Sequence, residues 1–130
     1  MAVVLADSSG ELTALRQAAG IYPPRLREAV VTGLWEANSI LGGARKAAPR
    51  GDSGYVAGCL FRAVLLCAHA LHAPAGRWVV NEKGAVATAG RLPGVPAGFS
   101  KDVDAVFAAP DGGADALSGA LDAAAVGRAD

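Results

Sequence analysis

The segment GYVAGCLFRAVLLCAHALHA, residues 54–73, constrains the fold more than any other part of the sequence. It reads as one helix that is apolar on almost every side, and it follows Asp52 and Ser53, which are both good helix caps. A run of this length also meets the size requirement of a membrane span. The arginine at its centre, Arg62, and its many glycines and alanines favour a helix inside a protein bundle instead.

The remaining apolar pattern predicts further helices and gives no signal of strand pairing. The expected helices cover residues 11–19, 24–48, 54–73, 82–91, 100–109 and 114–126. The sequence therefore predicts an all-α protein, an up-and-down helical bundle of four to five helices. We expect residues 1–20 to form a remnant hinge with a short helix, and residues 21–130 to form the bundle domain.

Composition narrows the classes of function. Hydrophobic residues make up 52% of the 130 residues, which is enough for a core. The formal net charge is +0, so no basic nucleic-acid-binding surface is indicated.

The two cysteines, Cys59 and Cys67, are about 12 Å apart on one predicted helix, which is too far for a disulfide. We expect them to be small apolar residues in a reducing cytoplasm. No set of side chains has the spacing of a metal site, so no metal is expected.

Tyr55, Arg62 and His69 follow one another at intervals of seven residues on the long apolar helix. This interval keeps them on one stripe, which drifts by only about 20° per step. We expect the helix to be buried, and a buried arginine needs a partner. That partner is either a carboxylate in a structural ion pair, from Glu36, Glu82 or an aspartate, or an anionic ligand in a polar pocket.

A second polar cluster follows the long helix and consists of Trp78, Asn81, Glu82 and Lys83. An aromatic ring, a helix cap, an acid and a base are frequent components of a pocket wall. Glu82 is placed to orient the lysine or to accept a proton. The alternative is that Asn81 only caps a helix, while Glu82 and Lys83 are solvated.

Three segments, YPPRLREAV, ARKAAPRGDSGYVAGCLFRAV and GRWVVNEKGAVATAGRLPG, resemble a known family. They are similar to the C-terminal helical, substrate-binding domain of bacterial minimal nucleotidyltransferases of the polymerase-beta-like superfamily, over about residues 5–108. The resemblance implies a cytoplasmic, non-catalytic accessory domain that shapes the acceptor-substrate cleft and forms a homodimer. It assigns substrate binding to one set of positions, to which the helical stripe adds His69. The set is Asp52, Tyr55, Arg62, Trp78, Asn81, Glu82 and Lys83, with Glu82 as the base if the domain supplies one.

In that superfamily a preceding catalytic domain carries a Gly-Ser motif and strand-borne aspartates, which bind magnesium and a nucleoside triphosphate. This sequence has neither feature. The resemblance therefore implies that catalysis, Mg²⁺ and the nucleotide belong to a missing domain or to a separate catalytic subunit, and that this chain holds no cofactor and no catalytic residue. The expected partners are that subunit, a second copy of the chain and a small-molecule or protein acceptor; no membrane or nucleic acid is expected.

Two other functions remain open. Arg62 and His69 have the R-x(4–6)-H spacing of the helical HEPN domains, some of which are metal-independent ribonucleases. In such a mechanism a 2′-hydroxyl attacks the phosphate, Arg62 steadies that phosphate and His69 assists proton transfer. Active domains of this kind usually have a polar residue after the arginine, where this sequence has Ala63. The third interpretation is a purely structural dimerisation module.

Overall fold

The computed structural model describes residues 5–108, and every regular element in that range is helical. Five helices have nine residues or more, and the fifth in chain order has five, which confirms the all-α helical bundle. The elements are α1 (Glu11–Ala19), α2 (Pro24–Thr32), α3 (Trp35–Ala47), a 3₁₀ turn (Ala48–Arg50), α4 (Ser53–His72), α5 (Ala85–Ala89) and α6 (Phe99–Phe107). The helix expected over residues 114–126 lies outside the described residues.

The main core lies between α3 and α4. Each helix buries residues that are three or four positions apart and so share one face. This buried set, which we call the α3–α4 seam, consists of Ala37, Leu41, Ala44 and Ala47 from α3 and Val56, Leu60 and Ala63 from α4. Because most of its members are alanines, the two backbones can approach closely. Only Leu41, Val56 and Leu60 contribute large apolar side chains, so the stability of the seam depends on a few residues.

The single helix predicted over residues 24–48 is wrong at its middle, because α2 and α3 are separated by Gly33 and Leu34. At the break the Glu36 N–H donates to the carbonyl of Gly33 at 3.0 Å, a 3₁₀-type step of three residues. Glycine is a poor helix former, and a methyl group at Gly33 would lie 3.1 Å from the carbonyl oxygen of Ala29. The apolar pattern therefore continues through a point where the backbone leaves the α-helix.

The chain reverses between α3 and α4 at Gly51, directly before the helix cap that the sequence predicts. Gly51 has a φ of 69°, a left-handed conformation that costs glycine no steric clash. Asp52 then caps α4, since its Oδ1 accepts a hydrogen bond from the Tyr55 N–H at 3.2 Å. The reversal makes α3 and α4 antiparallel.

The segment after α4 contains less helix than the sequence predicts. A helix is expected over residues 82–91, but α5 occupies only its middle. Asn81 caps a tight turn rather than a helix, because its Oδ1 accepts from the Lys83 N–H at 2.9 Å. Gly84, with a φ of 74°, follows that turn and delays the start of the helix.

α6 forms close to the range that the sequence predicts, and it packs on α5. The Ser100 hydroxyl donates to the carbonyl of Val86 at 3.2 Å, and Val106 is buried against the α3–α4 seam. A second, smaller core joins the last turns of α4 to α5 through Ala68, Ala85 and Ala89. α5 therefore packs on the C-terminal half of α4, and α6 packs on α5.

α1 is attached mainly through its C-terminal end, and none of its residues is buried. The Trp78 Nε1–H donates to the carbonyl of Ala19 at 2.8 Å, and the Trp78 ring centroid lies 4.7 Å from that of Tyr22. At the other end, Asp7 Oδ2 accepts from the Thr13 N–H at 2.7 Å. Hydrogen bonds from Thr13 hold the pKa of Asp7 below its usual value. The tryptophan therefore serves as the anchor of α1.

α4 is the one helix among residues 5–108 whose length and composition alone would let it cross a membrane. Its most apolar window has a mean hydropathy of 1.6, and 28% of that window is buried. A core helix of a bundle meets the same criterion, so the criterion by itself is weak evidence. Here α4 supplies one side of the α3–α4 seam and carries Arg62.

Leu60→Ala is expected to lower the free energy of unfolding by about 2–5 kcal/mol, because a fully packed leucine leaves a cavity that an alanine seam cannot fill. Leu15→Ala, at a position that is 65% exposed on α1, is the matched control and should change it by less than about 0.5 kcal/mol. Urea unfolding followed by circular dichroism measures both. Equal losses in the two variants would contradict a core centred on the seam.

Candidate functional site

Arg62 is exposed, which corrects the expectation of a buried cation. Its side chain has 66% of its surface accessible, and its ion-pair partner Glu36 has 39%. The contact joins one guanidinium nitrogen, Nη2, to one carboxylate oxygen, Oε1. Arg62 follows the buried Leu60 by two residues, a rotation of about 200° around a helix, so it lies on the flank of α4 beside the seam, within reach of Glu36 on α3. Of the carboxylates considered from the sequence, Glu36 is the partner and Glu82 is not.

The ion pair lies at a groove between α2, the start of α3 and the middle of α4. The groove has a volume of about 310 Å³. This is at the small end of the range of about 300–1,000 Å³ that is typical of ligand sites. The residues that line it are Ala29, Val30, Gly33, Glu36, Arg62, Leu65, Leu66 and His69. Five of them are apolar or glycine and three carry polar groups, so the groove has an apolar floor with few polar side chains.

A heptad register on both sides of the seam explains how these residues meet. The Tyr55 hydroxyl lies 3.3 Å from the position that a β-carbon on Gly43 would occupy. Seven residues later on α4, Arg62 pairs with Glu36, which is seven residues earlier on α3. A further step of seven reaches His69 on α4 and Ala29 on α2, and both residues line the groove. Antiparallel helices in this register bring the polar stripe of α4 against α3 first and then against α2.

The groove opens where α2 replaces α3 beside α4. Gly33 lines it and also ends α2, so the break in the predicted long helix is part of the wall. Because α3 starts afresh after the break, Glu36 lies in its first turn. A carboxylate at that position is favoured by the partial positive charge of the helix N-terminus. The sequence pattern alone, which reads straight through Gly33, does not reveal this wall.

The two histidines of α4 have different environments. His69 is partly buried and lines the groove. His72 is buried, with 3% of its surface exposed, and its Nδ1 lies 2.8 Å from the carbonyl oxygen of Ala68. Since a carbonyl can only accept, Nδ1 carries the proton in that hydrogen bond. The His72 ring is thus buried and hydrogen-bonded within its own helix. His69, which lines the groove, is the histidine that a ligand can reach.

Tyr55 belongs to the stripe but does not line the groove. It is 53% exposed near the start of α4, one turn before Cys59. Its hydrogen bond with Cys59 is the main cause that raises the pKa of Tyr55, followed by the electrostatic effect of Cys59, desolvation and Asp52. Cys59 and Cys67 are both free thiols. Tyr55 therefore lies beside Gly43 of α3, outside the groove.

The other predicted site residues lie outside the groove. Asp52 caps α4, and Trp78 is engaged with Ala19 and Tyr22. Asn81 accepts from the Lys83 backbone, and the side chains of Glu82 and Lys83 are exposed. Of the eight residues expected to form one pocket, the structure places Arg62 and His69 together. Glu36 joins them as a lining residue; the sequence suggested it only as an ion-pair partner.

The chemistry available in the groove is that of binding. A guanidinium, a carboxylate and an imidazole can orient the polar groups of a small molecule whose apolar part lies on Val30, Leu65 and Leu66. Within residues 5–108 there is no group of three or more His, Cys, Asp or Glu side chains placed to hold a metal ion. The groove thus places charged and hydrogen-bonding groups next to an apolar surface.

Comparison with known proteins adds no relative from which a function could be transferred. No protein-family model matches this chain, and neither the curated proteins nor the solved structures contain a significant match. The groove and the residues that line it are therefore the basis of the functional argument.

A double-mutant cycle with Glu36→Ala and Arg62→Ala should give a coupling of about 0.2–1 kcal/mol, because ion pairs between exposed side chains are weak. The coupling should fall as salt is raised, since solvent ions screen exposed charges. Urea unfolding of the wild type, both single variants and the double variant measures it. A loss of about 3 kcal/mol or more in either single variant would instead indicate a buried, structurally essential pair.

Proposed function

We propose that this protein is a non-catalytic helical domain that binds a small molecule in the groove between α2, α3 and α4. In this proposal the groove is the acceptor-substrate side of a nucleotidyltransferase cleft, and a separate domain or subunit supplies Mg²⁺, the nucleoside triphosphate and the catalytic residues. One observation carries the binding role: Glu36, Arg62 and His69 converge on an apolar groove of about 310 Å³. The nucleotidyltransferase context rests on the sequence resemblance described above.

The structure supports a binding role over a purely structural one through the exposure of the polar groups. Arg62 has two thirds of its side chain accessible at the mouth of the groove, although it is paired with Glu36. Its remaining N–H groups are therefore available to a second partner.

Filling the groove should abolish ligand binding without unfolding the protein. Ala29 is exposed on α2 and lines the groove, so Ala29→Trp should occupy the volume that a ligand needs. Ala87→Trp, at an exposed position of α5 outside the groove, is the matched control. A fragment library screened by ¹⁵N-HSQC should shift the amides of Leu65, Leu66 and His69 in the wild type and the control. We expect affinity to fall at least about tenfold in the filled variant.

Fragments that shift only residues outside the groove, or that bind the Ala29→Trp variant equally well, would contradict the proposed site. The nucleotidyltransferase context has a separate test. A neighbouring reading frame, or an in-frame upstream segment, should encode the Gly-Ser motif and the paired aspartates, and its product should co-purify with this chain. If no such partner is encoded nearby, the binding site stands without that context.

The proposal includes self-association through α4. The N-terminal half of this helix leaves Gly54, Ala57, Gly58 and Phe61 exposed on one side, opposite the seam. Phe61 is 53% exposed, and nothing lies within 4 Å of a β-carbon built on Gly54 or Gly58. A second α4 could therefore approach closely, with each phenylalanine over the glycines of the other copy, as two-fold symmetry requires.

Light scattering coupled to size exclusion should give twice the monomer mass of 12.9 kDa for the wild type. Phe61→Glu should give the monomer mass, because a charge would be buried in the apolar contact. Val80→Glu is the control, since Val80 is 91% exposed elsewhere on the surface. A monomeric wild type, or a dimer that survives Phe61→Glu, would exclude this contact.

A metal-independent ribonuclease is the second candidate, and one observation favours it: Arg62 and His69 line the same groove. Ala63 weakens this candidate, because active domains of this kind usually have a polar residue after the arginine. Incubation with single-stranded RNA in the presence of EDTA is the test. Cleavage that is lost in His69→Ala would establish the ribonuclease, and intact RNA with the wild type would remove it.

A further inference from the structure

We infer that the groove recognises a small monocarboxylate with an apolar body, and that Glu36 holds the place of the ligand carboxylate on Arg62 when the groove is empty. This inference names the ligand class of the proposed binding site and rests on that site. It follows from the form of the ion pair, from the helix positions of its two partners and from the charge of the lining.

The ion pair engages only one nitrogen of the Arg62 guanidinium. One nitrogen of the guanidinium contacts one oxygen of Glu36, whereas a guanidinium can donate two parallel hydrogen bonds to a single carboxylate. Both side chains are exposed, and an exposed pair contributes little to stability. A ligand carboxylate that made the two-pronged contact would therefore replace Glu36 at small cost.

When the ion pair opens, Glu36 keeps a stabilising electrostatic interaction and Arg62 does not. Glu36 lies in the first turn of α3, where the helix N-terminus continues to stabilise a negative charge. Arg62 lies in the middle of α4, and Glu36 is the one ion-pair partner that the described part of the chain gives it. The open state thus leaves a stabilised carboxylate and an unpaired guanidinium, which favours an anion as the incoming ligand.

The lining sets the charge and shape of that anion. The charges of Glu36 and Arg62 cancel each other. A dianion would bring two negative charges beside Glu36, whereas a monocarboxylate brings only one. Leu65 and Leu66 lie between Arg62 and His69, which are about 10 Å apart along the helix axis. The carboxylate therefore binds at Arg62, and the apolar body extends over the leucines toward His69.

Four probes with the same six-carbon chain test the inference: hexanoate, hexanamide, hexylammonium and hexyl phosphate. Dissociation constants come from the shifts of Leu65, Leu66 and His69 amides at pH 7.5 and fixed ionic strength. Hexanoate should bind several-fold more tightly than hexanamide, and also more tightly than hexyl phosphate. Glu36→Gln should strengthen hexanoate several-fold, because it removes the competing carboxylate, and should leave hexanamide unchanged.

Arg62→Met should remove the preference for hexanoate over hexanamide, and Arg62→Lys should restore part of it. Arg77→Met removes an exposed cation outside the groove and should have no effect. Equal affinities for hexanoate and hexanamide, tighter binding of hexylammonium or hexyl phosphate, or no gain in Glu36→Gln would overturn the carboxylate inference while the groove remained a ligand site. If none of the four probes shifts a groove residue, the carboxylate inference is overturned, and the groove is then judged by the wider fragment screen.

Discussion

The antiparallel register of α3 and α4 is the constraint on which the rest of this structure depends. An alanine-rich seam lets the two helices lie close together, and close helices have few ways to slide past one another without overlapping side chains. The register puts Tyr55 against Gly43 and Arg62 against Glu36. Once these positions are fixed, the break at Gly33 determines where α2 meets α4, and the groove forms at that junction.

The side chains that stabilise the bundle differ from those that line the proposed binding groove, because the former are buried and the latter include an exposed ion pair. The large apolar side chains of the seam stabilise the bundle, whereas the Glu36–Arg62 pair, at the surface, contributes little to its stability. The proposed binding role requires a pair of this kind, because an exposed ion pair can be exchanged for a contact with a ligand without loss of the fold.

Much of the fold could be predicted from the sequence, for identifiable reasons. The apolar spacing on α3 and α4, the cap at Asp52 and the turn at Gly51 are local signals, and the structure follows them. The break at Gly33 and the short α5 were not predicted. In both cases a glycine interrupts a segment whose apolar pattern continues, and the hydrophobic pattern takes no account of backbone preference.

The site was predicted in part. The interval of seven placed Arg62 and His69 on one stripe, and both line the groove. The expected burial of Arg62 is wrong, because the bundle does not cover the apolar helix α4 on all sides and leaves the flank that carries Arg62 exposed. The cluster from Trp78 to Lys83 does not join the groove, since Trp78 anchors α1 instead. Which segments contact one another depends on packing between distant parts of the chain, and local sequence patterns do not encode that packing.

The register itself can be measured directly in solution. Nuclear Overhauser effects should connect the Tyr55 ring protons to the Gly43 α-protons, and the Arg62 side chain to the Glu36 γ-protons, because both pairs are in contact in the same alignment of α3 and α4. Observation of both sets supports the account of the seam and of the groove that it creates. Cross-peaks from Tyr55 to residues one helical turn away on α3, such as Ser39 or Ala47, would show a shifted register and contradict it.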